Sequence, residues 1–228
     1  MRRLLSFLAC PVLAFAPRMS GAPAPDERIA LAVVFDTSGS MRDPLGGGAG
    51  ANRDAKFRVA QRAFDAVIDR LEAFTKDATA KPLSVGVYVF RDTHAVVALP
   101  LAPFDAARLR QWLASMRPDG STPLGDALFL AGQDLLATAA AARHILVLTD
   151  GANTAGRSPE SALKSIAQAA ERKQVAVFTH IIALDIKPAV FAALKKQGAT
   201  LIGANDEAQL NAQFDFILAE KILVEATR

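Results

Sequence analysis

Three short segments carry side chains whose types and spacing could do chemistry together. Asp36-Thr37-Ser38-Gly39-Ser40-Met41 presents one carboxylate and two hydroxyls at alternate positions, with Gly39 allowing a tight turn. Gly120-Ser121-Thr122-Pro123-Leu124 adds a hydroxyl just before a predicted helix, and Leu148-Thr149-Asp150-Gly151 adds a second carboxylate at a predicted strand end. Every candidate donor is a hard oxygen, and no histidine or cysteine stands among them. Hard oxygens with few carboxylates suit Mg2+, which prefers an octahedral shell and keeps several waters, with Mn2+ or Ca2+ as the alternatives.

Such a set works only if the intervening elements bring it together. Ile29 to Phe35 is a continuous apolar run ending at Asp36, which predicts a strand buried on both faces. Lys56 to Phe74 shows helical spacing, with Phe57, Ala60, Phe64, Val67, Ile68 and Leu71 on one face. Further strands are expected at Ser84 to Phe90, at Val96 to Leu99 as a short edge, at Ile145 to Leu148, within Val175 to Leu184, and at Thr200 to Gly203. Helices are expected at Phe104 to Met116, at Leu124 to Ala142, after the Ser158 cap with Pro159 at the first position, at Pro188 to Lys196, and at Glu207 to Val224. This alternation predicts a three-layer α/β/α, Rossmann-like sandwich: a mostly parallel sheet with one short antiparallel edge strand and helices on both faces. Ligands of such folds bind beyond the C-terminal ends of the strands, where Asp36 and Asp150 fall.

Asp-x-Ser-x-Ser after the first strand, a later Thr before a helix, and Asp-Gly after a buried strand together resemble the von Willebrand factor type A domain and its metal-ion-dependent adhesion site. The resemblance covers about Arg28 to Ala226. It implies that Asp36, Ser38, Ser40, Thr122 and Asp150 form the metal shell. Gly39 and Gly151 adjoin these donors, and Asp126, early on the next helix, reads either as a hydrogen-bonding support of the shell or as an acidic residue that favours the helix dipole. Thr37, Met41, Arg42, Asp43 and Ser121 become the candidate partner contacts. It also implies a mechanism. Neutral hydroxyl ligands, and carboxylates acting through water, leave the metal much of its charge and an open position. An exposed Asp or Glu of a protein partner can complete the shell. Integrin-like relatives carry an acidic residue at the place of Asp43 that serves a neighbouring metal site.

The rest of the chain bounds this expectation. Arg2, Arg3 and Arg18 account for the whole excess of Lys and Arg (26) over Asp and Glu (23), so the remainder is neutral overall and no nucleic-acid partner is expected. Residues 1–25 read as an export signal and linker: a basic start, the apolar run Leu4 to Ala16, too short to cross a bilayer, then a Pro- and Ala-rich stretch. Cleavage candidates follow Ala14 or Ala16, and Cys10 loosely resembles a lipidation site. The expected location is therefore periplasmic or extracellular, with membrane association only through an uncleaved N-terminal segment. Residues 26–228 form the expected folded domain. The Arg42 to Asp54 loop is glycine-rich but lacks a dinucleotide fingerprint, and no small-molecule cofactor is expected. No G-x-S-x-G elbow occurs, and His94, His144 and His180 are scattered along the chain, each reading as a packing or surface residue. A metal-dependent binding module is the leading reading. A scaffold merely stabilised by metal is the alternative, and a metal-dependent hydrolase stands third.

Overall fold

The computed structural model describes residues 26–46 and 54–226. The expected export signal, Cys10 and the glycine-rich stretch 47–53 lie outside the described residues. Six strands form one sheet in the order β3-β2-β1-β4-β5-β6: β1 (Asp26–Phe35), β2 (Leu83–Arg91), β3 (His94–Pro103), β4 (Ala140–Thr149), β5 (Phe178–Leu184) and β6 (Thr200–Ala204). All neighbours pair in parallel except β2 and β3. Leu31, Val33 and Phe35 of β1 face one core with α1 (Lys56–Thr75), α2 (Ala106–Ser115) and α6 (Glu207–Ile217). Ala30, Ala32 and Val34 face the other, with α3 (Leu124–Ala137), α4 (Pro159–Lys173) and α5 (Ala192–Lys196). Ile29 to Phe35 is buried on both faces and apolar throughout, which is why this part of β1 shows no polar alternation. Phe35, Phe64 and Trp112 meet edge to face, at 5.6 Å between the Phe35 ring and each of the others, and close the first core directly beneath Asp36.

Several boundaries depart from the sequence reading. The edge strand is ten residues long and runs to Pro103, because it pairs with almost the whole of β2 from Arg91↔His94 to Ser84↔Pro103. The alanine-rich helix ends at Ala137, not Ala142. Ala142 pairs with Ile29 of β1, and this central ladder overrides the helix preference of alanine. The Pro188 helix opens as a 3-10 turn, Pro188–Phe191, and the closing helix passes at Leu218 into a π turn.

His144 and His180 are not scattered in space. They sit on adjacent strands β4 and β5, stacked with ring centroids 5.5 Å apart and Nδ1 of His144 3.2 Å from Nε2 of His180, so one nitrogen of that pair carries the hydrogen. Burial pushes both down, His144 to about 3, with the charge of His180 adding, and His180 to about 4, with Lys221 adding. Both are therefore neutral in the fold but bind protons in the unfolded chain below about pH 6.5. The unfolded state then holds more protons, so stability falls as pH drops from 6.5 towards these values, by about 2 kcal/mol per histidine at pH 5. Denaturant titrations at pH 7 and pH 5 should show this loss in the native protein and roughly half of it in His180→Leu. An unchanged pH dependence in the variant would refute the assignment.

Candidate metal centre

The sheet order places β1 between β2 and β4, so the chain leaves β1 towards one side and later returns on the other. In open α/β sheets such a switch point is where ligands bind, beyond the C-terminal ends of the strands. Asp36 and Asp150 lie there on neighbouring strands: Phe35 pairs with Leu148, and the Asp36 N–H donates to the Leu148 carbonyl at 2.9 Å.

The turn after β1 is built by its own side chains. The Ser38 N–H donates to Asp36 Oδ1 at 2.8 Å, and a 3-10 turn follows over Gly39–Arg42. The Ser38 and Ser40 hydroxyls stand 3.1 Å apart, and Ser40 Oγ donates to Asp150 Oδ1 at 2.8 Å. Thr122 joins from the start of α3. Its N–H donates to Thr154 Oγ1 at 2.8 Å, and its carbonyl accepts from the Thr154 N–H at 3.0 Å. A Cβ added at Gly151 would stand 3.7 Å from Thr122 Oγ1 and 4.0 Å from Ser40 Oγ. Gly151 thus borders a small cradle between these hydroxyls that a side chain would begin to fill. The structure brings Asp36, Ser38, Ser40, Thr122 and Asp150 together at one end of the sheet.

Asp36 is fully buried, and burial pushes its carboxyl up to about 6. Hydrogen bonds from Ser38 and Thr149 oppose that rise, and the negative charge of Asp150 adds to it. No cation of the described residues pairs with Asp36. Asp150 differs: Lys56, the first residue of α1, places its Nζ 3.0 Å from Asp150 Oδ2 and 3.6 Å from Asp185 Oδ2. Burial pulls the Lys56 ammonium down, but the bond and charge of Asp150, with Asp185 and Asp43, more than offset it and the net shift is upward.

The donor set suits a hard divalent cation: two carboxylates and three hydroxyls converge, and the buried carboxylate lacks a counter-charge. No group of three or more His, Cys, Asp or Glu side chains is arranged for a metal among the described residues, so the fit depends on the hydroxyls.

Other expected residues are placed differently. Met41 is fully buried, packed in the first core, and Thr37 is buried with its hydroxyl donating to the Phe90 carbonyl at 2.8 Å and accepting from the Phe90 N–H at 2.9 Å. Neither can touch a partner; both fasten the turn to the core and to β2. Arg42 and Asp43 are exposed and Ser121 is half-buried, as partner contacts require. Asp126 does not reach the five donors. Its Oδ1 accepts from the Arg157 N–H at 3.3 Å, bracing the loop whose Thr154 holds Thr122. Gly39 donates its N–H to the Gly120 carbonyl at 3.0 Å, joining the first two segments.

Sequence reasoning missed Thr149, whose hydroxyl donates to Asp36 Oδ2 at 2.5 Å, and Lys56. It also missed Asn153, whose Oδ1 accepts from the Gly125 N–H at 3.0 Å. The available signal was position: Thr149 precedes Asp150 on a strand that neighbours β1.

The sequence profile of the von Willebrand factor type A domain matches residues 31–153, more than half of the chain, and the protein belongs to this family. No curated protein matches it. Among solved structures, the von Willebrand factor domain of the type V pili tip protein Mfa5 from Porphyromonas gingivalis is 15% identical, with a TM-score of 0.64 over 90% of this chain and 98% of that one. The PilB minor pilin from Streptococcus sanguinis is 16% identical, with a TM-score of 0.64 over 87% of this chain. Proximal thread matrix protein 1 from the mussel byssus, with a zinc-occupied metal-ion-dependent adhesion site, is 17% identical, with a TM-score of 0.59 over 85% of this chain. The chain spans 62% of the pilin and 48% of the byssus protein. At these identities the likeness establishes the shared fold.

Proposed function

We propose that this protein is a metal-dependent protein-binding module of the cell exterior. Asp36, Ser38, Ser40, Thr122 and Asp150 would hold one divalent cation, Mg2+ or its substitutes Mn2+ and Ca2+. When bound, the cation supplies a Lewis-acidic position for an Asp or Glu carboxylate of a partner protein. The chain's own residues orient and insulate that position: Thr149 and Ser38 fix the Asp36 carboxylate, Ser40 fixes Asp150, and Thr154 fixes Thr122. Arg42, Asp43 and Ser121 rim the face that a partner would cover.

The observation that carries this reading is the buried carboxylate of Asp36, paired with no cationic side chain among the described residues, beside three converging hydroxyls. Binding is favoured over catalysis because, among the described residues, no histidine bonds to the set and Lys56 is committed to two carboxylates. The export reading rests on the sequence of residues 1–25 and fits relatives that are pilus and byssus-thread proteins. No helix of the described residues is long and apolar enough to cross a membrane.

Thr122→Ala tests the reading. Immobilised chain, loaded with Mg2+, should retain a partner from envelope extracts of the producing cell and release it to chelator. The variant should lose at least about tenfold of that capture, as expected when a metal site loses a contact, while its melting temperature without metal stays within a few degrees. Equal retention by both proteins with and without chelator would refute a metal-dependent grip. A variant that unfolds before it loses capture would favour a purely stabilising metal.

A further inference from the structure

We propose that Lys56 is a built-in counter-charge that holds Asp150 back from the metal, so that the site trades metal affinity for grip on an outside carboxylate. The inference rests on the metal-binding reading above and concerns a residue outside the five-donor set.

Both oxygens of Asp150 are engaged. Oδ1 accepts from the Ser40 hydroxyl at 2.8 Å, and Oδ2 accepts from the Lys56 ammonium at 3.0 Å. A carboxylate free at both oxygens can turn to face a divalent ion; this one is pinned from two sides. The lysine is pinned in turn. Its side chain is only 11% exposed, its Nζ also meets Asp185, and its N–H donates to the Asp43 carbonyl at 2.9 Å. Asp185 is fixed from the other direction, since its Oδ2 also accepts the Gly46 N–H at 3.0 Å. Lys56 therefore ties together the segment after the 3-10 turn, the end of β4 and the end of β5. Exposed lysines sample many rotamers and contribute little to ion pairs, whereas a buried ammonium between two carboxylates holds one position.

The charge consequence follows from the distances. Asp150 is largely neutralised by the ammonium, while Asp36 is not neutralised by any described side chain. A divalent ion at the five-donor site thus meets one uncompensated carboxylate instead of two, and a positive charge stands just behind the second. Repulsion from that charge weakens the metal's hold on the protein. The same arrangement leaves more of the ion's charge available to a carboxylate arriving from outside.

Mn2+ alone is the probe, with free Mn2+ followed by electron paramagnetic resonance and bound Mn2+ by water-proton relaxation. Acetate then serves as the external carboxylate that displaces bound water. Lys56→Met should bind Mn2+ at least about tenfold more tightly than wild type, as removal of a nearby like charge requires. Acetate should bind the Mn2+-loaded variant several-fold more weakly. Lys56→Gln, which keeps a hydrogen-bond donor to Asp150 but no charge, should follow Lys56→Met and covers the case in which methionine prevents folding. A purely structural lysine would instead weaken both affinities together and lower the melting temperature in chelator. Unchanged or weaker Mn2+ binding by a folded variant would overturn the inference and leave the metal reading intact. Absence of Mn2+ binding in wild type would overturn the metal reading, and the inference with it.

Discussion

Gly120→Ala is expected to destabilise the protein by about 3 kcal/mol, combining the penalty of a left-handed backbone with that of an overpacked contact. Gly120 has φ +81°, a region that residues bearing a Cβ rarely enter. A Cβ there would lie 2.5 Å from the Asp92 carbonyl oxygen and 2.8 Å from its Cα. These are backbone atoms, so no side-chain rotation relieves the contact. Asp92 is itself held, at φ 55°, with its carbonyl accepting from the Ser121 N–H at 2.7 Å. The loop must therefore shift as a unit, and it carries Thr122 and the carbonyl that receives Gly39. For a domain of this size the melting temperature should fall by roughly 5–10 °C. Metal affinity should weaken by about tenfold, as for the loss of a supporting interaction. Calorimetry with and without metal checks both. A variant melting within two degrees of wild type would show that this loop is not the rigid element described.

Asp36→Asn should act in opposite directions on the metal-free and metal-loaded proteins. Burial of the Asp36 carboxyl raises it to about 6, so near pH 8 the metal-free fold holds a desolvated charge. For an acid raised in the fold, the native state binds more protons than the unfolded state between the two values. Stability therefore falls as pH rises through about 4 to 6 and stays lowered above that window. A shift of that size corresponds to about 2–3 kcal/mol. Asparagine keeps an acceptor for the Ser38 N–H and removes the charge. The metal-free variant should thus be at least as stable as wild type at pH 8, by up to about 2 kcal/mol, while its response to metal disappears. A carboxylate held only for structure would give the reverse, with loss of stability in the metal-free protein.

Much of this site is legible in the sequence. A strand buried on both faces declares itself as an unbroken apolar run, so β1 and its end at Asp36 were readable from seven residues. Asp150-Gly151 after ILVL followed the same logic, and the Ser158–Pro159 start of α4 follows from capping chemistry, with Ser158 Oγ accepting from the Ser161 N–H at 3.2 Å. What was not legible depended on pairing across the sequence. The end of α3 was obscured because an alanine run suits a helix, and only the β1 ladder claims Ala142 for a strand. The histidine pair was invisible because His144 and His180 become neighbours only through the order β4-β5. Lys56 read as an ordinary first residue of an amphipathic helix. Its partners, Asp150 and Asp185, are 94 and 129 positions away, and no local pattern connects them. Met41 and Thr37 depart from the expected partner contacts for a related reason: a loop adjoining a site need not turn all its side chains outward, and these two anchor the turn from below.

The central claim is that the five oxygen donors hold a divalent cation. The most direct test is a thermal melt of the chelated protein with Mg2+ or Mn2+ titrated back, run beside Asp36→Asn. A metal that binds only the native state adds RT ln(1 + [M]/Kd), about 2.7 kcal/mol at a hundred times Kd, which is roughly 5–10 °C here. Wild type should show a saturable rise of that order and the variant a flat response. Flat curves for both proteins up to millimolar metal, or equal rises in both, would contradict it.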